Sequence, residues 1–192
     1  IAVAVYNHYK RILNMEKTDV DLYDIARAVT DRLKGQARVH KVEMKLEGSS
    51  RKVLGTAQIL DEMIYNLCDN GIKYNKPGGH VTVSVGEDHG HPVVSVEDDG
   101  IGIPETDQER VFERFYRVDK SRSKATGGTG LGLAIVKHIV AQHGAKLTLE
   151  SEQGKGTEIC VEFSEALKQH EIETAKQRQE VHAERSENGS SD

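Results

Sequence analysis

An open mixed sheet, mainly antiparallel and with helices packed on one face, is the fold class that this sequence predicts. Three observations lead to it. Segments whose apolar residues recur every second position alternate along the chain with segments whose apolar residues recur every third or fourth. Their order shows no strand–helix–strand repeat of the kind that builds an all-parallel sheet. A stretch rich in glycine, charge and turn residues runs from Gly100 to about Gly130, and connections of that length are usually functional.

The elements follow in order. From Ile1 to about Met15, the residues Val5, Tyr9, Ile12 and Leu13 recur at helical spacing without a cap, as at the end of a longer helix. A turn at Lys17 to Asp19 leads into a helix carrying Leu22, Ile25, Val29 and Leu33, with Gly35 as its expected stop. Val42, Met44 and Leu46 alternate with charged residues and predict a half-buried strand, followed by a short strand around Val53. Thr56 suits the N-cap of a long helix with the stripe Leu60, Met63, Ile64 and Leu67, closed by Pro77-Gly78-Gly79. Val81, Val83 and Val85 are joined to Val94 and Val96 by the loop Glu87 to Pro92, a hairpin pattern. After the long loop, a helix from Leu131 to His143 precedes strands at Lys146 to Glu150 and Thr157 to Phe163. The divisions expected are a helical remnant and linker at 1–18, the main domain at 19–165, and a charged helical or disordered tail at 166–192.

Composition narrows the function. The 192 residues allow one ordinary domain with a core of its own, and a net charge of -5 excludes a general nucleic-acid binder, so any phosphate site is local. Cys68 and Cys160 lie far apart inside apolar patterns, which reads as reduced and cytosolic, and no apolar run has the length of a membrane span.

Three blocks carry chemistry. Asn66, Asn70, Lys73 and Tyr74 share one helix face, where amide oxygens and a lysine suit a metal nucleotide; singly, they also suit a solvated face. Strand alternation puts the Asp98 carboxylate on the side of Val94 and Val96, where an acceptor under an apolar slot can receive an exocyclic amine. Gly100, Gly102 and Ile103 follow, and a plain Asp-Asp-Gly turn explains the same residues. Gly127 to Leu133 opens directly into a helix, so free backbone N–H groups point at an anion, although a glycine-rich linker reads similarly. Neither the P-loop nor the dinucleotide glycine spacing is present.

With Val111-Phe112-Glu113-Arg114-Phe115-Tyr116-Arg117, these blocks resemble, in order, the N, G1, F and G2 boxes of sensor histidine kinases, a similarity covering about Asp19 to Phe163. The resemblance implies an α/β two-layer sandwich in which ATP lies between helices and a mixed sheet under a flexible lid. It implies that Asp98 recognises adenine, that Asn70 ligates Mg²⁺ with Asn66 beside it, and that Lys73 and Tyr74 contact the nucleotide. Gly100, Gly102, Gly128, Gly130 and Gly132 then admit the ligand close to the backbone, with Ile103, Thr129, Leu131 and Leu133 beside them. In the lid, Phe112, Phe115 and Tyr116 become apolar anchors, while Arg114, Arg117 or Lys120 reaches the phosphates.

The same resemblance implies phosphoryl transfer to a histidine on a dimerisation and phosphotransfer hairpin, then to a response regulator receiver domain. The parent becomes a homodimeric receptor in the bacterial cell membrane, and this chain its cytoplasmic catalytic part. Two residues depart from the family pattern: Asp99, where Asn is frequent, adds a carboxylate beside Asp98, and Gly71 stands where Ala is usual. Related ATPases such as gyrase carry a water-activating glutamate one turn before the Mg²⁺ asparagine; that position here is Asn66, so weak hydrolysis is expected. No residue before Asp19 fits the phosphoacceptor context, and the residues from His170 to Thr174 fit it only by chance. The pair His89 and His91 is too small for a closed zinc site.

Overall fold

A computed structural model of the chain describes residues 17–118 and 129–163. The expected helix remnant, the charged tail with His170, and Lys120 and Gly128 lie outside the described residues. In chain order the elements are β1 (Thr18–Asp21), α1 (Leu22–His40), β2 (Glu43–Gly48), β3 (Lys52–Gly55), α2 (Ala57–Lys73), β4 (His80–Asp88) and β5 (His91–Asp98). Two single-turn 3₁₀ helices follow, Glu105–Asp107 and Arg110–Phe112, then α3 (Gly132–Gln142), β6 (Lys146–Glu152) and β7 (Gly156–Glu162).

The main sheet has the order β2-β4-β5-β7-β6, parallel only between β2 and β4. It is thus mixed and mostly antiparallel. At its centre β4 and β5 form a hairpin pairing Val83 with Val96 and Val85 with Val94. The connection is the two residues His89 and Gly90, both at positive φ (49° and 85°), as the favoured right-twisted hairpin turn requires. Because strand side chains alternate, Val81, Val83, Val85, Val94 and Val96 all face one way and are all buried. Onto this valine face packs α2, whose Leu60, Met63, Ile64, Leu67, Cys68 and Ile72 are buried together. The second helix, α1, lies against α2 and β2, and α3 lies against α2 and β6, so helices and sheet form two layers with one core between them.

Three local expectations are corrected. The helix α1 does not stop at Gly35 but runs to His40. Gly35 is exposed and costs only about 1 kcal/mol in a helix interior, while Ala37 beyond it is buried. The true stop is Lys41 in the left-handed region (φ 58°), with the Val42 N–H reaching Ala37 O at 2.9 Å and Val42 itself buried. The turn expected at Lys17 to Asp19 is instead the start of β1, which pairs with β3 as a separate two-stranded sheet and ends in Asp21, the N-cap of α1. Last, α2 ends at Lys73, before Pro77, because the chain turns there to let the Asn75 amide donate to His80 O (2.9 Å).

Two buried polar groups set stability predictions. The Thr30 hydroxyl, in α1, is buried with no hydrogen-bond partner among the described residues. Thr30→Val keeps its shape and removes the unpaired group, so urea denaturation will show a gain of about 1 kcal/mol; a loss would refute the unpaired state. His143 packs edge-on against Phe163, its Nδ1 donating to Ile139 O (2.8 Å) and its Nε2 buried without a partner. Burial lowers its pKa, so the fold holds it neutral. Its contribution is present above the unfolded value of about 6.5 and is lost as pH falls below that. Comparison of wild type with His143→Gln between pH 7.5 and 5.5 will therefore show the steeper stability loss in the wild type; equal slopes would contradict it.

Candidate functional site

A cavity of about 410 Å³ opens where α2, the C-terminal end of β5, the loop after it and the start of α3 converge. Its lining draws Asn66, Asn70 and Lys73 from α2, Tyr74 from the residue that caps its end, and Asp98 from β5. Gly102, Ile103 and Arg117 come from the loop, and Thr129, Gly130, Gly132 and Leu133 from the entry to α3. Missing side chains bring these segments together. A Cβ on Gly100 would lie 2.5 Å from Tyr74 O, and one on Gly132 would lie 3.0 Å from Asn66 Oδ1 and 3.5 Å from Asn70 Nδ2. The loop and α3 therefore seat directly on the polar face of α2.

Asp98 occupies one end. Strand alternation turns it inward, where Val96, Ile101 and Ile159 supply apolar walls and its Oδ1 accepts the Gly100 N–H at 2.9 Å. Burial, with a smaller contribution from Asp99, raises its pKa to about 6. Asp99 itself does not line the cavity. Partial burial acts to raise its pKa, but the His80 N–H (2.6 Å) and ring Nδ1 (3.3 Å) more than offset this and hold it below the usual range. The second carboxylate is thus tied to His80, and desolvation rather than like-charge repulsion dominates at Asp98. Gly71 has its own packing reason: a methyl group there would lie 3.1 Å from Val81 Cγ2 and 3.5 Å from Asp98 Cβ.

The other end is polar. Asn66 Nδ2 donates to Glu62 O (2.7 Å), which leaves its carbonyl oxygen toward Gly132. The Lys73 ammonium is engaged by Asp69 at 2.6 Å, and Asp69 also accepts from Gln36 of α1 at 2.7 Å. The N-cap of α3, Leu131, makes no side-chain cap bond to the first-turn N–H groups.

Five expected positions within the described residues do not line the cavity: Gly100, Phe112, Arg114, Phe115 and Leu131. Phe112 lies under Lys137 of α3 at 6.0 Å, Arg114 points to solvent, and Phe115 is 69% exposed rather than an apolar anchor. Tyr116 does reach the cavity, with its hydroxyl on Asp107 and its ring under Arg110 (4.3 Å). Sequence reasoning missed the β6–β7 contribution, Gln153, Thr157 and Ile159, which comes from the strand beside β5 and carries no motif of its own. Among the described residues no group of His, Cys, Asp and Glu is placed to hold a metal.

The Asp98 environment predicts a conflict between site and fold. A carboxyl whose pKa is raised favours folding below its unfolded pKa, and that contribution is lost as pH rises from 3.8 through about 6. At pH 7 the charged side chain is a burden of on the order of 3 kcal/mol. Asp98→Asn will raise the denaturation midpoint at pH 7 and lose that advantage near pH 3.5; destabilisation at pH 7 would overturn the assignment of desolvation as the dominant cause.

Comparison with known proteins identifies the family. Residues 55–167 match the family model described as histidine kinase-, DNA gyrase B-, and HSP90-like ATPase. Sensor histidine kinase YkoH of Bacillus subtilis (strain 168) is 40% identical over 156 residues, covering 80% of this chain and 33% of that protein. The chain thus spans about a third of that relative's length. Among solved structures, the mycobacterial sensor histidine kinase MprB superposes with a TM-score of 0.66 at 31% identity, over 76% of this chain and 95% of that one. Full-length ShkA in complex with AMPPNP gives a TM-score of 0.67 at 26% identity, over 78% of this chain and 31% of that one. This chain belongs to the histidine kinase-, DNA gyrase B-, and HSP90-like ATPase family and carries its ATP-binding domain.

Proposed function

We propose that the chain binds Mg-ATP in this cavity and donates the γ-phosphoryl group to a histidine on the dimerisation and phosphotransfer hairpin of the same receptor. A response regulator receiver domain then takes the group. The carrying observation is the polarity of the cavity: a single desolvated carboxylate between apolar walls at one end, and amides, a lysine and an uncapped helix N-terminus at the other. The first end suits a flat base whose exocyclic amine donates to Asp98. The second suits phosphates, which the α3 N–H groups stabilise through hydrogen bonds and the helix dipole.

The donor set also fits a magnesium ion. Mg²⁺ takes few protein oxygens and keeps phosphates and water as its remaining ligands; Asn66 presents its amide oxygen beside Gly132, and Asn70, whose Nδ2 lies nearer Gly132, carries a second amide on the same helix face. When bound, the ion neutralises charge on the phosphates. Lys73 keeps its ammonium at the cavity wall through Asp69, and among the described residues of the loop Arg117 is the cation that lines the cavity. Asn66 cannot take a proton from water near neutral pH, so the reading favours transfer over hydrolysis. YkoH, MprB and ShkA are named as histidine kinases, which supports the same reaction class. The parent is read as a homodimeric bacterial membrane receptor; among the described residues no helix is long and apolar enough to cross a membrane.

The chain, mixed with a separately prepared histidine-bearing hairpin of its parent and γ-labelled Mg-ATP, will place acid-labile label on the hairpin. Asp98→Asn will abolish the labelling while remaining folded. ATP binding without any labelling would instead favour a regulatory nucleotide-binding module.

A further inference from the structure

We infer that Gln108 and Ser151 are positioning residues for the base end of the nucleotide site, clamping the loop that carries Gly102 and Ile103 to the β6–β7 hairpin. The inference rests on the nucleotide reading above. The loop forms one wall beside Asp98, and Gln153 and Thr157 of the hairpin form another. No ladder joins them, because the loop from Ile101 to Pro104 has no regular structure.

Side chains do the joining. Gln108 Nε2 donates to Ile103 O (3.1 Å) and to Ser151 O (2.8 Å), spending both amide protons, one on each wall. The Ser151 hydroxyl accepts the Ile103 N–H (2.8 Å), donates to Gly156 O (2.9 Å) and meets Thr157 Oγ1 (2.8 Å), so its single proton and both lone pairs are used. The Gly154 N–H adds a backbone bond to Ile101 O at 2.8 Å. The walls also touch, since a Cβ on Gly102 (φ 63°) would fall 2.0 Å from Glu152 O. Neither side chain touches the nucleotide in this scheme. They fix the height of Ile103 and Gly102 over the base, and a chain lacking them spends part of its time with the wall displaced. Apparent affinity then falls in proportion to the competent fraction.

Because the defect lies at the base end, it is independent of the number of phosphates. Dissociation constants of AMP, ADP and ATP, measured with Mg²⁺ by displacement of a fluorescent ATP analogue, test this on the whole chain. Gln108→Met is expected to weaken all three by one common factor of about tenfold. Lys73→Met, in contrast, will weaken ATP more than AMP. The urea midpoint of Gln108→Met will stay near that of the wild type, which separates positioning from general stability. Ser151→Ala repeats the test from the hairpin side should Gln108→Met not fold. Unchanged affinities, or losses that grow with phosphate number, would overturn the inference; failure of the unsubstituted chain to bind any of the three would overturn the nucleotide reading itself.

Discussion

The packing of α2 on the valine face of β4 and β5 is the constraint on which the rest depends. A helix has only one stripe to give to a core, and here Leu60, Met63, Ile64, Leu67 and Ile72 supply it. The inward stripe fixes the helix rotation, and the rotation fixes where Asn66, Asn70 and Lys73 emerge. Those polar groups sit at spacings of three and four on a flank of the stripe, half-buried rather than fully exposed. The same valines orient β5, so its last inward position delivers Asp98 to the other end of the cavity. One hydrophobic contact thus sets the distance between the two chemically different ends of the site.

That arrangement places a carboxylate where the fold would prefer none. Asp98 is desolvated and keeps backbone N–H donors from Gly100 and Thr157. Its neighbour Asp99, one residue on, points away and is satisfied by His80. A second carboxylate facing the same slot would have raised both pKa values and left neither reliably ionised. Alternation along the strand removes that conflict, and His80, itself beside Glu43 at 3.4 Å, anchors the displaced charge at the sheet's end. The departure from the family pattern at position 99 is therefore absorbed by local geometry. Gly71 is accommodated in the same way, since the closeness of Val81 and Asp98 leaves little room for a larger residue.

Much of this was legible in the sequence, and the exceptions have physical causes. The hairpin of β4 and β5 and the long α2 were readable because each buries one clean periodic face. β1 was not, because its four residues hold only one buried apolar side chain, Val20, and its partner β3 lies more than thirty positions away. The end of α1 was misplaced because glycine is a stop only where a left-handed cap is needed, and Lys41 takes that conformation instead. In the site, the positions beside glycines and strand ends were readable since few residues fit there. Gln108 and Ser151 were not: they are ordinary polar residues, and their meeting across 43 positions follows only from the tertiary placement of β6.

The identity of position 66 bears most directly on what the site can do. A glutamate there would be a base one turn from Asn70, aimed at the phosphate end, and water would be the nucleophile at hand. The amide of Asn66 instead spends one N–H on Glu62 O and turns a neutral oxygen toward Gly132. An oxygen of this kind can hold a cation beside phosphates but cannot activate water near neutral pH. In the proposed reaction such a site orients its nucleotide, and the reacting nucleophile must bring its own basicity. An imidazole meets that requirement because its free nitrogen is already basic and nucleophilic at neutral pH. The proposed transfer to histidine over hydrolysis therefore rests on the chemistry of one α2 side chain, held in place by the stripe behind it.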